Sequence, residues 1–163
     1  MKKVTIILSA LIIFLFFSCS KKPDVGGTAA QSMANEWWVT LDQGGVQDAS
    51  GYGHFKIATY NTSANDDSIW IDDFGNGWQV KFKAKADFSN LTFAAPNAAN
   101  EFDPINYPIT VNVTDGKILL NAGHSKSGNV VDSIHMQIEF SDDPGTIYEM
   151  NGVARTRFIE DEY

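Results

Sequence analysis

The chain has 163 residues, 44% apolar, 12% aromatic and 20% charged, which suits one domain with a buried core and is too short for two. Lys and Arg total 12 against 20 Asp and Glu, and the formal net charge of -8 repels phosphate backbones, setting general nucleic-acid binding aside. One cysteine excludes a disulfide framework and a thiolate-rich zinc site within a single chain.

Lys2 and Lys3 precede an apolar run from Ile6 to Phe17, broken only by Ser9. The run falls short of the ~20 apolar residues that a bilayer span needs. Ser18 and Cys19 follow directly, and a small residue before the lone cysteine at the end of such a run resembles a bacterial lipoprotein signal. The resemblance implies a signal peptide over 1–18, lipid attachment at Cys19, and a lipidated N-terminus with a flexible tether over 19–34. It also implies an envelope address. With Lys21-Lys22 after the cysteine, the expected place is the outer membrane, facing the periplasm.

From Glu36 onward no long window has helical period, and Gly, Asn and Asp recur as punctuation. Three segments alternate apolar and polar residues: Trp78 to Ala86, Tyr107 to Thr114 and Ser133 to Phe140. Shorter candidates in chain order are Trp37 to Leu41, His54 to Tyr60, Ser68 to Asp72, Leu91 to Ala95, Lys117 to Asn121 and Gly152 to Ile159. Turn chemistry separates them at Asp73 to Gly77, Asp115-Gly116 and Asp142 to Gly145. Asp115-Gly116 between two apolar runs predicts a tight hairpin. Eight or nine short antiparallel strands make the domain over 35–163 an all-β, small up-and-down β-barrel or a sandwich. An eight-stranded barrel has room for one small ligand or for its own side chains.

The segments Glu36-Trp37-Trp38-Val39, His54-Phe55-Lys56 with Thr59-Tyr60-Asn61, Asn65-Asp66-Asp67 through Trp70-Ile71-Asp72-Asp73, and Trp78 to Lys85 resemble a family of small Bacteroidetes lipoproteins. That family is described as lipid-binding, lipocalin-like (calycin-type) putative hydrolases. The resemblance spans roughly Asn35 to Phe158 and implies a barrel with an apolar ligand. By analogy with lipocalins, Trp37 or Trp38 would sit early in the first strand with Arg155 or Arg157 stacked across it, closing one end.

Trp37, Phe55, Trp78, Phe82, Phe93, Tyr107, Phe140 and Phe158 all fall on faces that should turn inward. They would line an apolar cavity or fill an ordinary core. No Gly-x-Ser-x-Gly elbow is present; Gly123-His124-Ser125-Lys126-Ser127 comes nearest and reads as a solvated loop, and Ser133 lies near His135 and Asp132. Asp66, Asp67, Asp72 and Asp73 read as a solvated acidic rim rather than a calcium loop or a glycosidase pair. Lys81, Lys83 and Lys85 form a basic row that protects an exposed strand or attracts an anion. His54, His124 and His135 lack metal-ligand spacing, and neither a metal nor a cofactor is expected.

The expected function is an envelope lipoprotein that binds an apolar or amphiphilic, lipid-like small molecule without catalysis. Its expected ligand-binding residues are Trp37, Phe55, Trp78, Phe82, Tyr107 and Phe140, with Arg155 and Arg157 closing one end or meeting an acidic head group. The alternative is an interaction module with a filled core, meeting an envelope protein or a glycan through exposed Trp38, Trp70 or Tyr60. A hydrolase is the third reading.

Overall fold

A computed structural model describes residues 27–49 and 51–163; the expected signal peptide, Cys19 and the first part of the tether lie outside the described residues. The eight strands are β1 (Asn35–Asp42), β2 (Phe55–Asn61), β3 (Ser68–Asp72), β4 (Lys81–Asp87), β5 (Thr92–Ala99), β6 (Thr110–His124), β7 (Val130–Phe140) and β8 (Tyr148–Ala154). Each pairs antiparallel with the next, and β8 pairs back onto β1 to close the barrel. Closure leaves no strand edge along the ring, which settles the choice between barrel and sandwich.

Alternation decides which side chains enter the barrel. Along β4, Phe82, Ala84 and Ala86 are buried while Lys83 and Lys85 are exposed. Along β7, Ile134, Met136, Ile138 and Phe140 point in. They meet Trp37, Val39 and Leu41 of β1 and Ile57 of β2 in one continuous apolar core. The inward aromatic set is therefore packed against its neighbours, with Trp37, Phe82 and Phe140 among the largest fully buried side chains. Phe158 departs from expectation: it is 62% exposed, because the last strand ends at Ala154 and the chain then turns outward into a short 3-10 helix (Ile159–Asp161).

The predicted hairpin at Asp115-Gly116 is instead a bulge inside one long strand. β6 runs through both residues, and its register against β7 shifts between Thr114 and Lys117. Asp115 adopts a left-handed φ of 49°. A Cβ on Gly116 would lie 2.4 Å from the Phe93 carbonyl oxygen, so β5 and β6 approach there only because the side chain is absent. Two predicted strands thus merge, and nine candidates become eight.

The barrel has two unlike ends. At one, residues 29–33 form a turn that buries Ala30 and Met33 beneath the strands, so the stretch expected to end a tether packs on the core. Trp37 Nε1 donates to Thr59 Oγ1 at 2.9 Å, and the Thr59 hydroxyl donates to the Met33 carbonyl, tying turn, β1 and β2 together. Arg155 does not stack on Trp37. Its guanidinium donates to Glu36 at 2.8 Å and is bidentate to Glu162, pinning the C-terminal tail to β1. Arg157 reaches Glu36 at 3.3 Å from an exposed position. This is the closed end.

The other end carries the loops 43–54, 73–80, 100–109 and 141–147. These four segments hold no Lys or Arg, but contain Asp48, Asp73, Glu101, Asp103, Asp142 and Asp143.

Candidate functional site

The site lies at the loop end. The alternation that predicts a strand from Trp78 fails over its first three residues, and β4 starts at Lys81. Gln79 takes a left-handed φ of 57°, which breaks the ladder and lets the loop fold over the barrel. Asp73 organises that loop by accepting from Gly75 N at 2.8 Å and Val80 N at 2.9 Å. Asp73 and Asp72 are both buried, so half of the expected acidic rim is not solvated: Asp73 lies inside the loop, and Asp72, at the end of β3, accepts from the Tyr60 hydroxyl at 2.8 Å and pairs with Lys81. Burial holds the Asp73 carboxyl above its usual range, against the opposing pull of those backbone donors. A Cβ on Gly77 would meet the Phe55 ring at 2.6 Å, so glycine lets the loop descend onto the core.

Trp78 then lies flat on Phe140, with ring centroids 4.3 Å apart and planes 2° from parallel, and Tyr148 tilts against both. The indole Nε1 donates to Asp142 Oδ1 at 3.1 Å, and Asp142 also accepts the Tyr107 hydroxyl. Beside it, Tyr148 donates to Asp143 at 2.7 Å. Burial, followed by the adjacent carboxylate, pushes both phenols up to about 12. At neutral pH both are therefore hydrogen-bond donors. Tyr52, Gly77, Trp78, Gln79, Tyr107 and Asp142 line an open cleft of about 300 Å³ above this cluster.

The expected ligand-binding residues thus divide into three groups. Trp37, Phe55, Phe82 and Phe140 belong to the packed interior. Trp78 and Tyr107 come together at the cleft. Arg155 and Arg157 sit at the closed end, on the far side of the barrel from it. Asp142 and Asp143 carry only a turn signal in the sequence, and Tyr52 and Tyr148 carry none that singles them out. Turn composition does not say which side chain a loop turns inward.

The family model described as "Lipid-binding putative hydrolase" matches residues 22–159. The chain belongs to this family. No curated protein matches it. A lipid-binding role fits both the membership and the barrel.

The hydrolase part of the family description can be set against the candidate nucleophiles. His135 Nδ1 faces Asn151 Oδ1 at 2.6 Å and its Nε2 faces Asp115 at 3.3 Å, so both ring nitrogens are engaged away from serine. Ser125 is buried and within 3.2 Å of Ser127 Oγ, in a turn fastened to Asp161. His54 stacks on Tyr163 at 3.8 Å. Serine catalysis requires a base on the nucleophile; among the described residues, no histidine is hydrogen-bonded to a serine. Among the described residues, too, no three His, Cys, Asp or Glu side chains converge as a metal site.

The outer wall carries the other candidate aromatics. Trp38 faces outward, as its alternation with Trp37 predicts, but Tyr163 packs edge-on against it at 5.7 Å. Trp70 lies beneath Lys81 and Lys83, whose ammonium groups are 4.9 and 4.8 Å from its ring. Both rings are partly covered by their own chain.

Proposed function

We propose that this protein is an envelope lipoprotein, held through Cys19 at the outer membrane and facing the periplasm, that binds an apolar or amphiphilic small molecule at the loop end of its barrel without catalysis. The observation that carries the reading is the position of Trp78. Its ring lies across the loop end of the core yet comes from a loop rather than a strand, kept there by a stack on Phe140 and an exposed carboxylate. An apolar chain that replaces Trp78 against Phe140 exchanges one apolar contact for another, and its buried surface contributes ~25 cal/mol per Å². Tyr107 and Tyr52 flank the entry and orient the polar end.

The test is native mass spectrometry of the detergent-extracted protein before and after delipidation. A co-purifying apolar mass released by organic solvent is the expected result. A clean apo mass, with no thermal shift across a panel of fatty acids and lysolipids, would overturn the reading.

A further inference from the structure

The chemistry of the cleft bears on which amphiphile enters, a question that rests on the lipid-binding role proposed above. Three aromatic side chains, Tyr52, Trp78 and Tyr107, surround one exposed carboxylate, Asp142. Trp78 and Tyr107 both donate to that carboxylate, which fixes its position at the rim. Asp143 adds a second acid beside it, bound by Tyr148. None of the four loops at this end supplies a Lys or Arg to balance them. Lys126, Arg155 and Arg157 belong to segments at the opposite end, and the Lys126 ammonium, which lies over Tyr163 beside His54, does not line the cleft. Lys56 and Lys81, where β2 and β4 begin, are engaged on the outer wall with Glu36 and Asp72.

An anionic head group placed here meets like charge and finds no cationic partner lining the cleft. A cation meets three aromatic side chains and a carboxylate together, the combination that favours ammonium groups. We propose that the cleft at the loop end is an ammonium site, so that the protein selects amphiphiles with a cationic nitrogen in the head group over fatty acids. The apolar tail then lies toward Trp78 and Phe140, and the nitrogen stays at the rim between Tyr52, Tyr107 and Asp142.

The experiment titrates full-length protein, solubilised in dodecyl maltoside, with dodecyltrimethylammonium, with dodecanoate, or with tetramethylammonium alone, following tryptophan fluorescence. The expected result is a saturable change whose midpoint is roughly tenfold lower for the ammonium amphiphile than for dodecanoate. Asp142→Asn keeps an acceptor for the indole and the phenol but removes the charge, and is expected to shrink the difference to within about threefold. Equal midpoints, a preference for dodecanoate, or a preference unchanged in Asp142→Asn would overturn the ammonium site while leaving lipid binding in place. Saturation by tetramethylammonium but by neither amphiphile would uphold the ammonium site and overturn lipid binding. Silence from all three would overturn both.

Discussion

Each end of this barrel has a tryptophan resting on the same apolar core, and the two serve opposite purposes. Trp37 is 1% exposed and gives its N–H to a buried threonine that is itself bonded to the Met33 backbone. Trp78 is half-buried, comes from a loop, and gives its N–H to an exposed aspartate. A ring on a strand, bonded to buried neutral partners, is part of the wall. A ring on a loop, bonded to a solvated charge, has water as a ready replacement for its hydrogen bond, so it can leave at low cost. The difference lies in the partners rather than in the side chain.

Truncating each ring separates these roles most sharply. Trp37→Ala should cost about 3–5 kcal/mol in a denaturant titration, since it empties a fully enclosed site. Trp78→Ala should cost under about 2 kcal/mol, mainly its stack on Phe140, and should tighten binding of the apolar chain, which no longer has to displace the indole. Equal losses of stability would erase the contrast between the two ends.

The hydrogen-bonded tie at the closed end gives the next effect. Thr59→Val leaves the Trp37 indole N–H and the Met33 carbonyl without their partner, at an expected cost of about 1–3 kcal/mol. Asp142→Asn at the loop end should change stability by less than about 0.5 kcal/mol, because its carboxylate is exposed. Away from both ends, Gly116→Ala drives a methyl into the Phe93 carbonyl and should cost about 1–3 kcal/mol without touching either tryptophan.

The smallest effects are in the pH dependence, and they too divide by end. Tyr107 and Tyr148 sit at about 12 when folded, against 10.0 for a free phenol. Above pH 10 the unfolded chain loses these protons first, so the stability they contribute is intact below 10 and declines as pH rises toward 12. Asp161, at the closed end, is held at about 2 by hydrogen bonds from Thr156 and then Ser127, against an ordinary 3.8. Its contribution is present above 3.8 and fades as pH falls toward 2. Phenolate absorbance on the alkaline side and tail-proximal hydrogen exchange on the acid side would separate the two. Tyr107 or Tyr148 ring resonances that titrate with a midpoint near 10 would contradict the loop-end hydrogen bonds.

Much of the wall is legible in the sequence because alternation is a local signal. Lys83 and Lys85 could not point inward without burying charge, and Ser68 to Asp72 forms a strand with the bounds its composition suggests. The site is less legible because it depends on exceptions to that signal. A left-handed Gln79 removes Trp78 from a strand it otherwise fits, and Asp115 in the same conformation converts an expected turn into a bulge. Both depend on what lies opposite, the Asp73 carboxylate within the same loop in one case and the Phe93 backbone of a neighbouring strand in the other, and alternation reports neither. Asp142 is hidden for a related reason. Its turn composition announces a loop, but its partners Trp78 and Tyr107 come from elsewhere in the chain.

The chain enters the barrel through the turn at 29–33, beneath the closed end, while the cleft opens at the far end of the strands. With Cys19 lipidated as proposed, only eight peptide units separate the anchor from Gly27, and fully extended they span at most about 29 Å. On that proposal the closed end lies nearer the anchor along the chain than the mouth does. If the anchor is as proposed, a photocrosslinker at Tyr52 should mark partners other than the lipids around the anchor. So anchored, the protein would present its mouth to a partner while its lipid stayed in the bilayer.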